Sequence, residues 1–330
     1  MNSPDIATTA NLLTARWASE LRADENAVVS GASALGLLAM LLAGADGDAE
    51  NELANATALR RSNAAEAASA LIRTINGSRG TCAGMGVWVG SDLEIRPEFR
   101  LLLPEAVIDT IPLDTAALDG WASNVTNGTI DHFPATPTAE TLLLAATVIA
   151  ADADWRAPFT EGLGHWSSDP AWIGWLHRTD TDLDQASLLS RDGTTVSRMV
   201  CETAASFDVH LIAGSATDSP GTVLGLAVDS LTGAVQVTPA SDLRVGDRGG
   251  VLMVAKTPAW ESRPHLNVDF PVFDITTTHD LLATATLFGL EAATDRSRGH
   301  FPRLSDSPLA IEQASQSATA SVSALGFRAA

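Results

Sequence analysis

The segment NAVVSGASALGLLAMLLAGADGDAENEL, residues 26–53, contains 19 consecutive uncharged residues (27–45), close to the length that spans a bilayer. Its flanks argue against a membrane. Acidic residues stand on both sides (Asp24, Glu25; Asp46, Asp48, Glu50), no cation sets a topology, and Ser30, Gly31 and Ser33 interrupt the first third. The pattern predicts a buried strand leading into a core helix, with small polar residues at the helix start to cap it. A helix apolar on every face must be surrounded by protein, so residues 32–44 are expected at the centre of a globular core.

On the N-terminal side, residues 6–23 carry helical periodicity, with Leu12, Leu13, Trp17 and Leu21 on one face, and on the C-terminal side the alanine-rich run from Asp48 to Ile75 predicts more helix. The texture changes at GMGVWVG (84–90), a strand by its β-branched and aromatic content. A helical stretch covers about 115–126, and ETLLLAATVIAADADW (140–155) reads as a long buried strand. From there to about residue 275 the sequence is turn-rich and strand-like: RDGTTVSRMV, SFDVHLIAG, TVLGLAVDSLTGAVQVTP, GGVLMVAKT and HLNVDFPVFDI. A helix, THDLLATATLFGL (278–290), precedes a terminal strand. Helices first and strands later, without βαβ alternation, predict an α+β protein with predominantly antiparallel sheets, and no linker divides residues 1–330 into more than one domain.

With 45% hydrophobic residues, 330 residues can bury a sizeable core. Forty acidic against twenty basic residues leave a formal charge of −20, which repels phosphate backbones and anionic membranes, so neither nucleic acid nor membrane is an expected partner. Cys82 and Cys201 are too few for a disulfide framework and lack zinc-site spacing, and both are expected to be buried, unreactive thiols. The N-terminal MNSPDIATTANLLTARWASEL has no basic region followed by an apolar one, so a secretory signal is not expected and a cytoplasmic location is. The sequons at Asn55, Asn76, Asn124 and Asn127 then read as chance matches.

Catalytic motifs fail one after another. GMGVWVG has glycines loosely spaced as in a dinucleotide loop, but that loop needs a helix start after its second glycine, where Val87, Trp88 and Val89 continue a strand. No G-x-S-x-G elbow, P-loop or H-E-x-x-H occurs. The seven histidines are scattered singly, and carboxylates are too abundant for spacing to single out an acid–base pair. No enzyme, cofactor or metal is expected.

What the sequence does contain is a series of strings in one order that resembles the serpin family. Residues 26–53 are similar to N-V-F-F-S-P-x-S-I-S-x-A-L-A-M-L-x-L-G-A-x-G-x-T-x-x-E-I, with Ser30, Ser33, Ala39, Met40, Leu41, Gly44, Ala45 and Gly47 in register. LDGWASNVTNGTI (118–130) resembles I-N-x-W-V-x-x-x-T-x-G-K-I at Trp121, Thr126, Gly128 and Ile130. LLLAATVIAADADWRAPF (142–159) resembles L-V-N-A-I-Y-F-K-G-x-W-x-x-P-F at Trp155, Pro158 and Phe159. FPVFDITTTHDLLATATLFGL resembles the segment that begins P-x-F-x-I and ends L-G, at Pro271, Phe273, Ile275, Leu281 and Gly289. The last residues, SATASVSALGFRAA (317–330), resemble the strand and proximal hinge H-K-A-x-x-x-V-N-E-x-G-T-E-A-A at Ala318, Val322, Gly326, Ala329 and Ala330.

The resemblance implies a serpin-like fold, helices packed on large antiparallel or mixed sheets, and a serine protease as partner. It implies inhibition by cleavage of an exposed loop whose hinge then enters the large sheet as a new strand. The hinge is Gly326, Phe327, Arg328, Ala329 and Ala330, where Gly326 is expected to supply backbone freedom and the alanines to enter without overpacking. Ser30, Ser33, Thr147 and Gln316 correspond to the region that gates sheet opening, and Trp155 to the breach where the hinge enters. Several positions depart from the pattern. Phe327 replaces a small residue, with an expected clash of about 1–3 kcal/mol on insertion. Ala324 and Leu325 replace a charged pair, while Gln316 and Thr147 replace a buried histidine and asparagine and are expected to pair in a substitute network.

The chain as given stops at the hinge, so the expectation is a fold lacking the reactive-centre loop and final strands, of marginal stability, forming no covalent adduct by itself. A complementing C-terminal peptide would restore it. The alternative function is a non-inhibitory scaffold that binds a ligand or partner, and many family members are extracellular, the alternative to a cytoplasmic location.

Overall fold

The structure, a computed structural model, describes residues 5–112, 114–133, 135–138, 140–165, 172–257 and 263–330. Four helices open the chain: α1 (Ile6–Glu20), α2 (Gly31–Gly44), α3 (Gly47–Thr57) and α4 (Arg61–Asn76). Then come β1 (Thr81–Val89), α5 (Pro97–Leu102), β2 (Ala106–Thr110), α6 (Ala116–Val125) and β3 (Leu143–Asp154). Next are β4 (Thr160–His165), β5 (Trp172–Asp180), β6 (Ala186–Arg191), β7 (Thr194–Glu202), β8 (Asp208–Ala213), α7 (Pro220–Ser230), β9 (Gln236–Pro239), β10 (Arg248–Gly249) and β11 (Leu252–Met253). The chain finishes with β12 (Leu266–Pro271), β13 (Phe273–Asp280), α8 (Ala285–Phe288), β14 (Ser315–Val322) and β15 (Gly326–Ala329).

The uncharged apolar segment becomes α2, and every residue of it except Ala32 is buried. Ser30 Oγ accepts the Ser33 N–H at 3.1 Å, satisfying one of the helix's free amides. Around α2 stand α1, α3, α4 and β3, and its leucines share one core with Trp17, Met85, Phe99, Phe288 and Phe301. Among the described residues no helix is long and apolar enough to cross a membrane.

Six strands form the large sheet in the order β13-β14-β15-β3-β1-β2, antiparallel except for the parallel β1–β2 pair. An antiparallel four-stranded sheet, β8-β7-β6-β9, and a three-stranded one, β12-β5-β4, complete the α+β architecture with the small β10–β11 ladder. A second core, around Trp155, Phe159, Leu176, Met199, Cys201 and Val322, gathers residues of all three larger sheets or their ends.

Four local expectations change. Residues 27–30 form no strand; they are an extended lead-in held by side chains of the large sheet. The run from Asp48 to Ile75 is broken into α3 and α4, because Ala58 turns left-handed at φ 53°. Residues 278–280 of the expected helix belong to β13, which runs to Asp280, and only short helical turns come after it over 281–288. The run TVLGLAVDS (222–230), read as strand-like, lies in α7. There Ser219 Oγ accepts the Thr222 N–H and Pro220 fills the first helical position, a start signal that apolar content had masked.

Candidate functional site

The long strand β3 supplies one wall of the site. Its burial alternates over Leu144–Ala151, as expected for a strand with one face on the core, and the phase reverses at Asp152 and Ala153. The other wall is β14, which pairs along its whole length with β13, from Phe273 opposite Val322 to Asp280 opposite Ser315.

Between these walls lies β15. Gly326, Phe327, Arg328 and Ala329 stand opposite Asp154, Ala153, Asp152 and Ala151 of β3, while Phe327, Arg328 and Ala329 stand opposite Val322, Ser321 and Ala320 of β14. Ala330 exchanges backbone bonds with Thr319, its N–H donating at 2.9 Å. The expected hinge is therefore a middle strand of the sheet.

Its side chains fit for reasons only the partners reveal. Gly326 is needed for close approach and not for an unusual dihedral: a Cβ there would collide with the Ala153 carbonyl oxygen. Phe327 does not clash. Ala153 stands opposite it, and the ring joins the core beside Trp155, with centroids 6.5 Å apart. Arg328 Nε sits 3.1 Å from the Asp152 carboxylate, an exposed pair directly across the ladder.

A clasp holds the turn between β14 and β15. Ser323 Oγ accepts the N–H groups of Leu325 and Gly326, and the Ser323 N–H donates to the Gly326 carbonyl at 3.0 Å. Trp155 Nε1 donates to the Ser323 carbonyl at 2.9 Å, and the Trp155 and Phe159 N–H groups donate to Leu325 and Ala324. Phe159 and Ser323 complete this clasp; neither was singled out from the sequence as a site residue, although the W-x-x-P-F string already contained Phe159.

Beyond Ala330, residues 143–150 of β3 and 315–318 of β14 have no described strand between them. A narrow cavity of about 30 Å3 opens there, lined by Ser30, Ser33, Thr147, Gln316, Ala330 and their neighbours, so all four expected gating residues meet in one place. Gln316 Oε1 accepts the Ser30 N–H at 2.9 Å while its Nε2 donates to the Ser30 carbonyl at 3.1 Å. Ser33 Oγ donates to the Thr147 carbonyl at 3.1 Å.

The expected Gln316–Thr147 pairing is not formed. Thr147 takes part through its backbone, and its buried hydroxyl has no hydrogen-bond partner among the described residues. The missing polar contacts come instead from β13. Thr277 accepts the Val28 N–H at 3.0 Å, and His279 Nε2 lies 3.0 Å from the Val28 carbonyl with its ring edge-on to Trp17. Period-two spacing in TTTHD placed Thr277 and His279 on one face and was the available signal.

The cysteines differ from each other. Cys201 is buried in the second core, and burial pushes its thiol up to about 11. Cys82 is only half-buried, contrary to expectation, because β1 begins at the sheet's margin. Among the described residues no group of three or more histidine, cysteine or acidic side chains could hold a metal ion.

Residues 8–165 match the family model for Serpin (serine protease inhibitor). No curated protein matches the chain in sequence. Among solved structures it is similar to the thermophilic serpin tengpin in the latent state, at 16% identity and a TM-score of 0.75, covering 100% of this chain and 88% of that one. It is similar to cleaved serpin 42Da at 14% identity and 0.76, covering 98% and 86%. It is also similar to reactive-loop-cleaved human thyroxine-binding globulin at 14% and 0.73, covering 98% and 94%. Identities this low speak for the fold alone.

Proposed function

We propose that this chain, whose residues 8–165 match the Serpin family model and whose fold is similar to that of solved serpins, is a serine-type endopeptidase inhibitor that works by inserting its cleaved loop into the large sheet. One observation carries the reading: the segment Gly326–Ala329 occupies the middle of that sheet, between β3 and β14, and its side chains match the strands on both sides. A short strand added between two long ones contributes main-chain hydrogen bonds and apolar burial only after the gap has opened, which is the physical basis for coupling cleavage to a large conformational change. The partner on this reading is a serine protease.

The other reading, a non-inhibitory scaffold, draws on one similar structure described as thyroxine-binding globulin complexed with a thyroxine derivative. The two are separated by expressing the complete reading frame that contains residues 1–330 and incubating it with trypsin-, chymotrypsin-, elastase- and subtilisin-like proteases. An SDS-resistant covalent adduct with at least one supports the inhibitor. Plain cleavage by all of them, with no adduct, replaces it by the scaffold.

A further inference from the structure

A cleft of about 340 Å3 opens where α1, α3 and the turn after α8 meet, and charged side chains line it. Gly289 brings its walls together: the residue is left-handed at φ 66°, and a Cβ there would collide with the Glu52 carbonyl oxygen. Three charged side chains of the cleft are held by neutral partners. The Arg16 guanidinium donates to the Ala56 carbonyl at 3.3 Å. Glu52 Oε2 accepts the Ala292 N–H at 2.8 Å, and Glu291 Oε1 accepts the Thr286 hydroxyl at 2.7 Å.

These bonds also place the charges. Glu52 reaches the amide that follows Glu291, so the two carboxylates share one end of the cleft. Arg16 is anchored on Ala56, one helical turn beyond Glu52 and about 6 Å further along α3. Arg16, Glu52 and Glu291 form no ion pair among the described residues, although one cleft holds both signs. Two carboxylates at one end and a guanidinium at the other, each tethered and each with donors or acceptors left over, fit a molecule that carries both charges. A simple anion would meet the carboxylates, and a simple cation the arginine. Half-buried Leu287 lines the same cleft and offers an apolar surface to methylene groups.

We propose that this cleft binds a lysine-like zwitterion, free lysine or the C-terminal lysine of a peptide, whose carboxylate pairs with Arg16 and whose side-chain ammonium lies between Glu52 and Glu291. A carboxylate and an ammonium joined by about five carbons span the separation of the anchors. Arg16 has N–H groups left for a carboxylate, and the second oxygens of Glu52 and Glu291 accept from the ammonium. An amino acid with an uncharged side chain carries both charges on one carbon and is too short to engage both ends. No strand of the large sheet lines the cleft, so this site is separate from the one that receives the hinge.

The test is an NMR titration of the full chain that reads the amides of Ala56, Gly289 and Ala292. The probes are L-lysine, 6-aminohexanoate, hexanoate, pentylamine, and an acetylated peptide ending in lysine as the free acid or as the amide. Saturable shifts at those amides are expected with 6-aminohexanoate at millimolar concentration, and binding weaker by about fivefold or more with hexanoate and pentylamine, each of which lacks one charge. L-lysine and the free-acid peptide separate the two sources: whichever binds at least as well as 6-aminohexanoate identifies the ligand, and the peptide amide is expected to bind more weakly than the free acid. Arg16→Gln and Glu291→Gln keep a hydrogen-bonding group at an exposed position, so each should melt like the parent and bind 6-aminohexanoate about fivefold or more weakly. An absence of saturable shifts, one-charge probes that bind as well as 6-aminohexanoate, weaker binding of both L-lysine and the free-acid peptide, a peptide amide that binds like its acid, or variants that bind like the parent would overturn the proposal.

Discussion

Gln316 grips the backbone of Ser30 with both ends of its carboxamide, accepting the N–H at 2.9 Å and donating to the carbonyl at 3.1 Å across 286 residues of sequence. The two residues tie the start of the central helix α2 to the sheet strand β14 at the mouth of the open slot. Gln316 is 6% exposed, so water cannot replace what it supplies.

Gln316→Ala should therefore leave both Ser30 groups without their partner and lower stability by about 1–3 kcal/mol. Urea unfolding reads this directly. A loss below about 0.5 kcal/mol would mean that the helix–sheet tie carries no weight.

Trp155→Phe keeps an aromatic ring in the second core but removes the Nε1 donor to Ser323. The expected loss is about 1–1.5 kcal/mol in global stability, with faster hydrogen exchange at Leu325 and Gly326, whose turn the indole holds. Unchanged exchange at those two amides would place the clasp elsewhere.

Gly326→Ala should expel β15, since the added methyl collides with the Ala153 carbonyl oxygen where β15 meets β3. Limited proteolysis is expected to cut within 324–330 in the variant and spare the parent. Arg328→Ala, by contrast, removes only an exposed ion pair and should change stability by less than about 1 kcal/mol.

Burial raises the Cys201 thiol to about 11, above the value of about 8.5 for a cysteine in an unfolded chain. The folded state holds that proton more tightly, so this contribution is complete below about pH 8.5 and is lost as pH climbs toward 11. The chain has no tyrosine and a single lysine, Lys256, which leaves few other groups to titrate in that window. Cys201→Ala should flatten the alkaline fall in stability, and native Cys201 should resist iodoacetamide at pH 8 under conditions that label Cys82. Equal labelling of both thiols would contradict the buried environment.

Local periodicity and side-chain type were enough to set the α+β class, the buried helix at 31–44, the strand character of GMGVWVG and of residues 143–154, and the strand at the C-terminal end. Strings that kept their order also marked Ser30, Ser33, Thr147 and Gln316 as neighbours. Packing in three dimensions settled the remainder. The strand or helix choice at 220–230 went to helix, where a capped start and the apolar floor of Leu189 and Val196 received Leu226. Whether Phe327 overpacks depended on what stands across the ladder, and Ala153 left the room. The gating polar contacts went to Thr277 and His279 on β13 because a hydrogen bond requires a partner within about 3 Å, a distance set by the fold and not by spacing along the chain.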